Sequence, residues 1–149
     1  MGVVSALTAS PVKYTYDGKE YEVSPWTIEI MGAYERYLEK KAFDAFDKVS
    51  SRLSGNLAER ALSTLMQDIT AGVYTFGTPV VGKSLQSPEN VKYIFFLCLK
   101  KNHSDIDMEL VRKMAEKDYE GMLRVMNQAN ADPNLQTPET SPLNAPGTV

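Results

Sequence analysis

Tyr93-Ile94-Phe95-Phe96-Leu97-Cys98-Leu99, then Lys100-Lys101-Asn102-His103, then Ser104-Asp105-Ile106-Asp107-Met108-Glu109-Leu110-Val111 is the stretch that decides the fold. The apolar run could by itself be a buried strand or a helix, because periodicity does not separate the two in so short a segment. Its flanks decide for helix. Ser87-Pro88-Glu89 supplies a cap, a first-turn proline and an acid at the N-terminus, and Lys100-Lys101 supplies bases at the C-terminus, so both ends complement the helix dipole. A helix apolar all round belongs in the centre of its domain. A second helix starts after it, with Asp107 as cap, Glu109 in the first turn, and Ile106 and Val111 at the two positions of a hydrophobic staple.

Working outward, the chain predicts a mainly α domain of about four to five helices. An N-terminal β-hairpin precedes them and a disordered C-terminal tail follows. Asp17-Gly18 between Val12–Tyr16 and Lys19–Val23 is the signature of a type I′ hairpin, since both turn positions require positive φ. Val12, Tyr14 and Tyr16 share one face with Tyr21 and Val23 of the partner strand. A lone hairpin is marginal in water, so this one must lie on a helix or another subunit.

Ser24-Pro25 reads as the start of a long helix reaching about Val49. It carries Glu29, Arg36, Lys40 and Asp47 on one strip and Met31, Leu38, Ala42, Ala45 and Val49 on another, with Ile30, Tyr34 and Tyr37 beside the second. Ser54-Gly55-Asn56 breaks the chain. The next helix has a Leu57, Ala61, Leu65, Ile69 stripe, widened by Leu62 and Met66, and ends at Ala71-Gly72. Val73–Gly77 reads as a connector open to an extended form. Thr78-Pro79 starts a short helix through Leu85, and the last helix runs from Asp107 to about Gln128. The boundaries are a loose arm over 1–11, a hairpin plus helical domain over 12–128, and a tail over 129–149. That tail holds Pro133, Pro138, Pro142 and Pro146 and too little apolar surface to offset the entropy of ordering.

The composition is that of an ordinary globular chain of 149 residues, 43% hydrophobic and 23% charged, with a formal net charge of −3. An acidic balance argues against a dedicated nucleic-acid partner, which needs a basic face. The single cysteine, Cys98, forms no disulfide framework or Cys-rich zinc site and reads as a core hydrophobe in a reducing compartment. No charged leader with a long apolar core follows Met1, and no run approaches the ~20 apolar residues that span a bilayer. The expectation is a cytoplasmic chain with no membrane partner.

No constellation points to catalysis, a cofactor or a metal. His103 is the only histidine, and Cys98 five residues earlier is poorly placed to be activated by it. His103 reads instead as a residue at a helix C-terminus that favours the dipole. Asp105/Asp107 and Glu116/Glu120 read as solvated surface charge. Gly77-Thr78-Pro79-Val80-Val81-Gly82-Lys83-Ser84 matches the phosphate-loop pattern letter for letter. Against a nucleotide site stand Pro79, which removes a loop N–H, the lack of a second strand ending in Asp, and the lack of βαβ alternation. Met108, Met114, Met122 and Met126 lie on the last helix. Methionine fills cores and also lines adaptable binding grooves. Core filling is the first account of them, and Met114, Tyr119, Met122 and Met126 form the candidate protein-interaction face.

Three stretches together resemble the tail assembly chaperones of long-tailed bacteriophages. They are Tyr14–Val23, Thr70–Gly77 and Phe95–Val111 with its Lys-Lys-Asn-His-Ser-Asp-Ile-Asp core. The resemblance spans residues 12–128 in order. Ser104 departs from it, standing where many members have proline. It implies no catalytic residues. It implies a helper in the host cytoplasm that binds and solubilises the tape-measure protein, helps recruit the major tail protein, self-associates, and is absent from the mature virion. The family often also makes a longer form by ribosomal frameshifting. The alternatives are a small structural virion or adaptor protein of the tail or head-tail junction and, more remotely, a nucleotide-binding protein using residues 77–84.

Overall fold

The computed structural model describes residues 10–131. It is mainly helical, with one two-stranded antiparallel hairpin ahead of five helices, as the pattern predicts. The strands are β1 (Val12–Tyr16) and β2 (Lys19–Val23). The helices are α1 (Ile28–Ser50), α2 (Gly55–Thr70), α3 (Pro79–Ser84), α4 (Pro88–Lys100) and α5 (Met108–Asn130). Most of the expected arm and tail lies outside the described residues. Ser10 and Pro11 are exposed, and Ala129 and Asn130 belong to α5. The body expected over 12–128 divides into two compact units, residues 28–97 forming one and the segments on either side of them the other.

In the first unit, Asp17 and Gly18 have φ of 51° and 77°, so the turn is the type I′ its dipeptide specifies. The register pairs Val12 with Val23, Tyr14 with Tyr21 and Tyr16 with Lys19. Tyr14, Tyr21 and Val23 are buried, and both strands pack against α5. The outer edge of β2 is covered from within the same unit. The Glu22 N–H donates to His103 Nε2 at 2.8 Å, and the Ser24 N–H donates to the Cys98 carbonyl at 3.1 Å. An edge so paired offers no template for another strand.

These bonds explain why α1 starts three residues later than Ser24-Pro25 suggests. The Ser24 N–H continues the sheet edge, and its hydroxyl donates to the Pro25 carbonyl, so it caps nothing. Residues 24–27 form a connector whose Trp26 N–H donates to Asn130 Oδ1 at 2.7 Å.

The last helix is also broken. Asp118 has φ −157° and ψ 76°, and its carboxylate accepts the Gly121 N–H at 2.9 Å. Asp118 thereby caps a second helical segment inside α5. The signal was present as Asp118 three residues ahead of Gly121, a residue that weakens helix interiors. At the start of α5 Asp107 caps as predicted, accepting the Leu110 N–H at 2.8 Å, and Ile106 and Val111 are buried.

In the second unit α1 and α2 form an antiparallel helical hairpin. Gly72, at φ 75°, closes α2 in a Schellman motif: Gly72 N–H bonds the Ile69 carbonyl and Val73 N–H the Asp68 carbonyl. Residues 73–77 are a turn, not a strand. The base of the unit is held by a polar network around Asn90, which is only 6% exposed. Its Oδ1 accepts Tyr37 Oη at 3.1 Å and Lys41 Nζ at 2.9 Å, and its Nδ2 donates to the Ser84 carbonyl at 2.9 Å. Tyr37 stacks on Tyr93 at 3.9 Å between centroids, and Tyr34 packs with Phe76 at 5.8 Å. Glu35 fixes the turn by accepting the Phe76 N–H at 2.7 Å. Ile94 and Phe95 of α4 are wholly buried, whereas Phe96 is half-exposed; the last turn of α4, with Cys98 and Leu99 wholly buried, belongs to the first unit.

Candidate functional site

The methionine face proposed from sequence is interior. Met114 and Met122 are 0% exposed and Met126 4%, and Tyr119 is half-buried. The reason is the hairpin. The side of α5 that carries them also carries Asp118, beside Tyr14, and Lys117 lies over the Tyr16 ring at 5.3 Å. Strands β1 and β2 cover this helix, so the methionines fill core volume.

His103 is not a residue of the helix whose C-terminus it was expected to occupy. It lies beyond the end of α4, with its Nε2 accepting a backbone N–H and its ring edge-on to Tyr21 at 5.3 Å. Burial pushes the Cys98 thiol up to about 12, with Trp26 as a hydrogen-bond partner acting in the opposite sense. That environment holds the sulfur as an unreactive thiol. Among the described residues no three His, Cys, Asp or Glu side chains gather as metal ligands.

The phosphate-loop match falls in the wrong context. No strand precedes it, and Gly82-Lys83-Ser84 is the C-terminal half of the short helix α3. The amides a phosphate would need are committed: Val81 N–H to Thr78 Oγ1 and Gly82 N–H to the Thr78 carbonyl. Ser84 Oγ bonds Tyr34 Oη at 2.8 Å and the Val81 carbonyl at 2.6 Å.

What the structure leaves open is the tip of the α1–α2 hairpin. From Glu39 to Thr64 no residue is buried. On α1 the stripe Ile30, Tyr34 and Leu38 is buried, but its continuation at Ala45 and Val49 is exposed, Val49 by 45%. On α2 only Leu65 is buried, and Leu57, Leu62 and Met66 are 50%, 40% and 48% exposed. Met66 also borders a shallow hollow lined by Ser63, Gln67, Thr70 and Ala71. Sequence periodicity found both stripes, but a stripe does not say which of its turns the chain itself will cover.

The molecule is thus a small helical protein with a β-hairpin and an uncovered apolar helical tip. No family model, curated protein or solved structure matches the chain. Among the described residues no helix is long and apolar enough to cross a membrane.

Proposed function

We propose that this protein is a tail assembly chaperone of a long-tailed bacteriophage. In this reading it acts in the host cytoplasm, in several copies per client, binding the tape-measure protein to keep its apolar helices soluble and helping to recruit the major tail protein. It then leaves before the virion is complete. Two things support the reading: the resemblance over residues 12–128, and the exposed apolar side chains of the α1–α2 hairpin, Val49 and Leu57 on one side of it and Leu62 and Met66 on the other. The second is the observation that carries it, since apolar side chains left exposed side by side on paired helices offer a surface to a partner. Many weak apolar contacts, linked along a long client, add avidity without new chemistry.

The test is co-expression with the tape-measure protein encoded in the same genome. The client should move from the insoluble to the soluble fraction, carrying several copies of this chain. If the client stays insoluble and the chain appears in purified particles at fixed stoichiometry, the structural or adaptor reading replaces this one.

A further inference from the structure

Inside the second unit, the apolar stripe of α1 is covered over its first turns by elements of the same chain. Ser84 of α3, Asn90 and Tyr93 of helix α4, and Phe76 bond or pack against Tyr34 and Tyr37. The stripe then continues uncovered through Ala45 to Val49. In an antiparallel hairpin with its bend at residues 51–54, Val49 and Leu57 stand at the same level. The less exposed positions Ala42, Phe46 and Ser50 of α1 and Ala58, Ala61 and Leu65 of α2 mark the seam between the helices, and in antiparallel helices Val49, Ala45 and Leu57 then fall to one side of it, with Ala61 at its floor. Leu62 lies about 140° around α2 from Leu57, so Leu62 and Met66 face the other side. The exposed half of this groove therefore continues a surface whose first half this chain closes partly with a helix.

Towards the bend the rim of the groove carries bases, and Asp44, one turn before Lys48 on the same strip, is taken up by Lys40. Lys48 precedes Val49, Arg52 lies in the bend, and Arg60 stands one turn along α2 from Leu57. None of the three has a carboxylate within ion-pair distance among the described residues, whereas Lys40 is matched by Asp44 at 2.9 Å. Glu59 and Asp47 fall on the opposite side of their helices by the same period. A second copy laid tip to tip would bring these cations against each other, which is unfavourable.

We infer that the groove formed by Ala45 and Val49 of α1 and Leu57 and Ala61 of α2 takes one amphipathic helix of a partner, apolar every three to four positions and acidic along its flanks. This rests on the chaperone reading for the identity of the client and adds where the client binds and what its segment must look like. Such a helix would bury its stripe against Val49 and Leu57 and set its carboxylates against Lys48, Arg52 and Arg60.

The probe is a capped synthetic peptide of about 20 residues, long enough to be helical, with leucines at helical spacing and glutamates on the flanks. A second peptide carries lysines on the flanks, and a third carries two prolines. Fluorescence anisotropy with the full chain should show binding of the glutamate peptide, at least tenfold weaker binding of the lysine peptide, and none of the proline peptide. Val49→Glu and Leu57→Glu should each weaken the glutamate peptide at least tenfold, and Met66→Glu should leave it unchanged. Val49→Ser and Leu57→Ser, whose melting temperatures should match the parent, guard against unfolding as the cause and should weaken it in the same order. The inference is overturned by any of four results: no peptide binds; the two flank charges bind alike; Met66→Glu alone abolishes binding; or sedimentation shows a dimer that Val49→Glu dissolves. Co-expression separates the two levels of the argument. A tape-measure protein solubilised equally by the parent and by Val49→Glu would keep the chaperone function and remove this site. A client that stays insoluble, while peptide binding still depends on Val49 and Leu57, would do the reverse.

Discussion

Cys98 and its neighbours show how strongly a single environment can set a residue's chemistry. The thiol, ordinarily at 9.0, is pushed by burial up to about 12. The unfolded thiol therefore ionises first as pH rises, so the stabilisation is complete below 9.0 and is lost progressively between 9.0 and about 12. Native protein should accordingly resist iodoacetamide at pH 8 and react only after denaturant is added. Rapid labelling of folded protein would contradict that burial. A second residue-scale case is Gly121. A methyl group added there would collide with the Asp118 carboxylate, which the Gly121 N–H holds in place. Gly121→Ala should destabilise the protein although alanine is the better helix former. Asp118→Ala should lose about 1 kcal/mol with the cap. In the double variant the collision disappears, so its loss should be smaller than the sum of the single losses in a urea-melt cycle.

At the scale of elements, the Asn90 network and the hairpin tip are opposites. Asn90 satisfies three groups at the base of its unit, and replacing it with leucine leaves the half-buried Tyr37 hydroxyl without its acceptor and the Ser84 carbonyl without its donor, while the exposed Lys41 turns to water. A loss of about 1–3 kcal/mol is expected, read by chemical denaturation. Along α2, Leu65→Ala should cost roughly 2–5 kcal/mol because Leu65 is the buried member of its stripe, while Leu57→Ser should fall within about 0.5 kcal/mol of the parent. Equal losses at the two positions would mean that the tip is covered in solution. The short helix α3 carries the third element-scale expectation. With its amides committed and Lys83 exposed, neither ATP nor GTP should raise the melting temperature, and Lys83→Ala should be neutral. A nucleotide-dependent rise lost in Lys83→Ala would restore the phosphate-loop reading.

At the scale of the whole molecule, the sequence and the tertiary structure each determined a separable part. Local chemistry fixed what depends on neighbours along the chain. Asp17-Gly18 has one comfortable turn, Thr78-Pro79 and Asp107 cap the helices they precede, and Gly72 ends α2 because only a left-handed residue closes a Schellman motif there. The helical character of residues 93–99 followed from the charges and the cap at their ends. Other features were beyond reach, because they depend on partners far away in sequence. Ser24 loses its capping role to the Cys98 carbonyl, and His103 becomes an acceptor for the sheet edge at Glu22. Met114, Met122 and Met126 become core because two strands lie over their helix. Periodicity states that a helix has an apolar face, but burial is a property of what lies against that face. The same pattern therefore describes Leu38, which this chain covers, and Val49, which it leaves for something else.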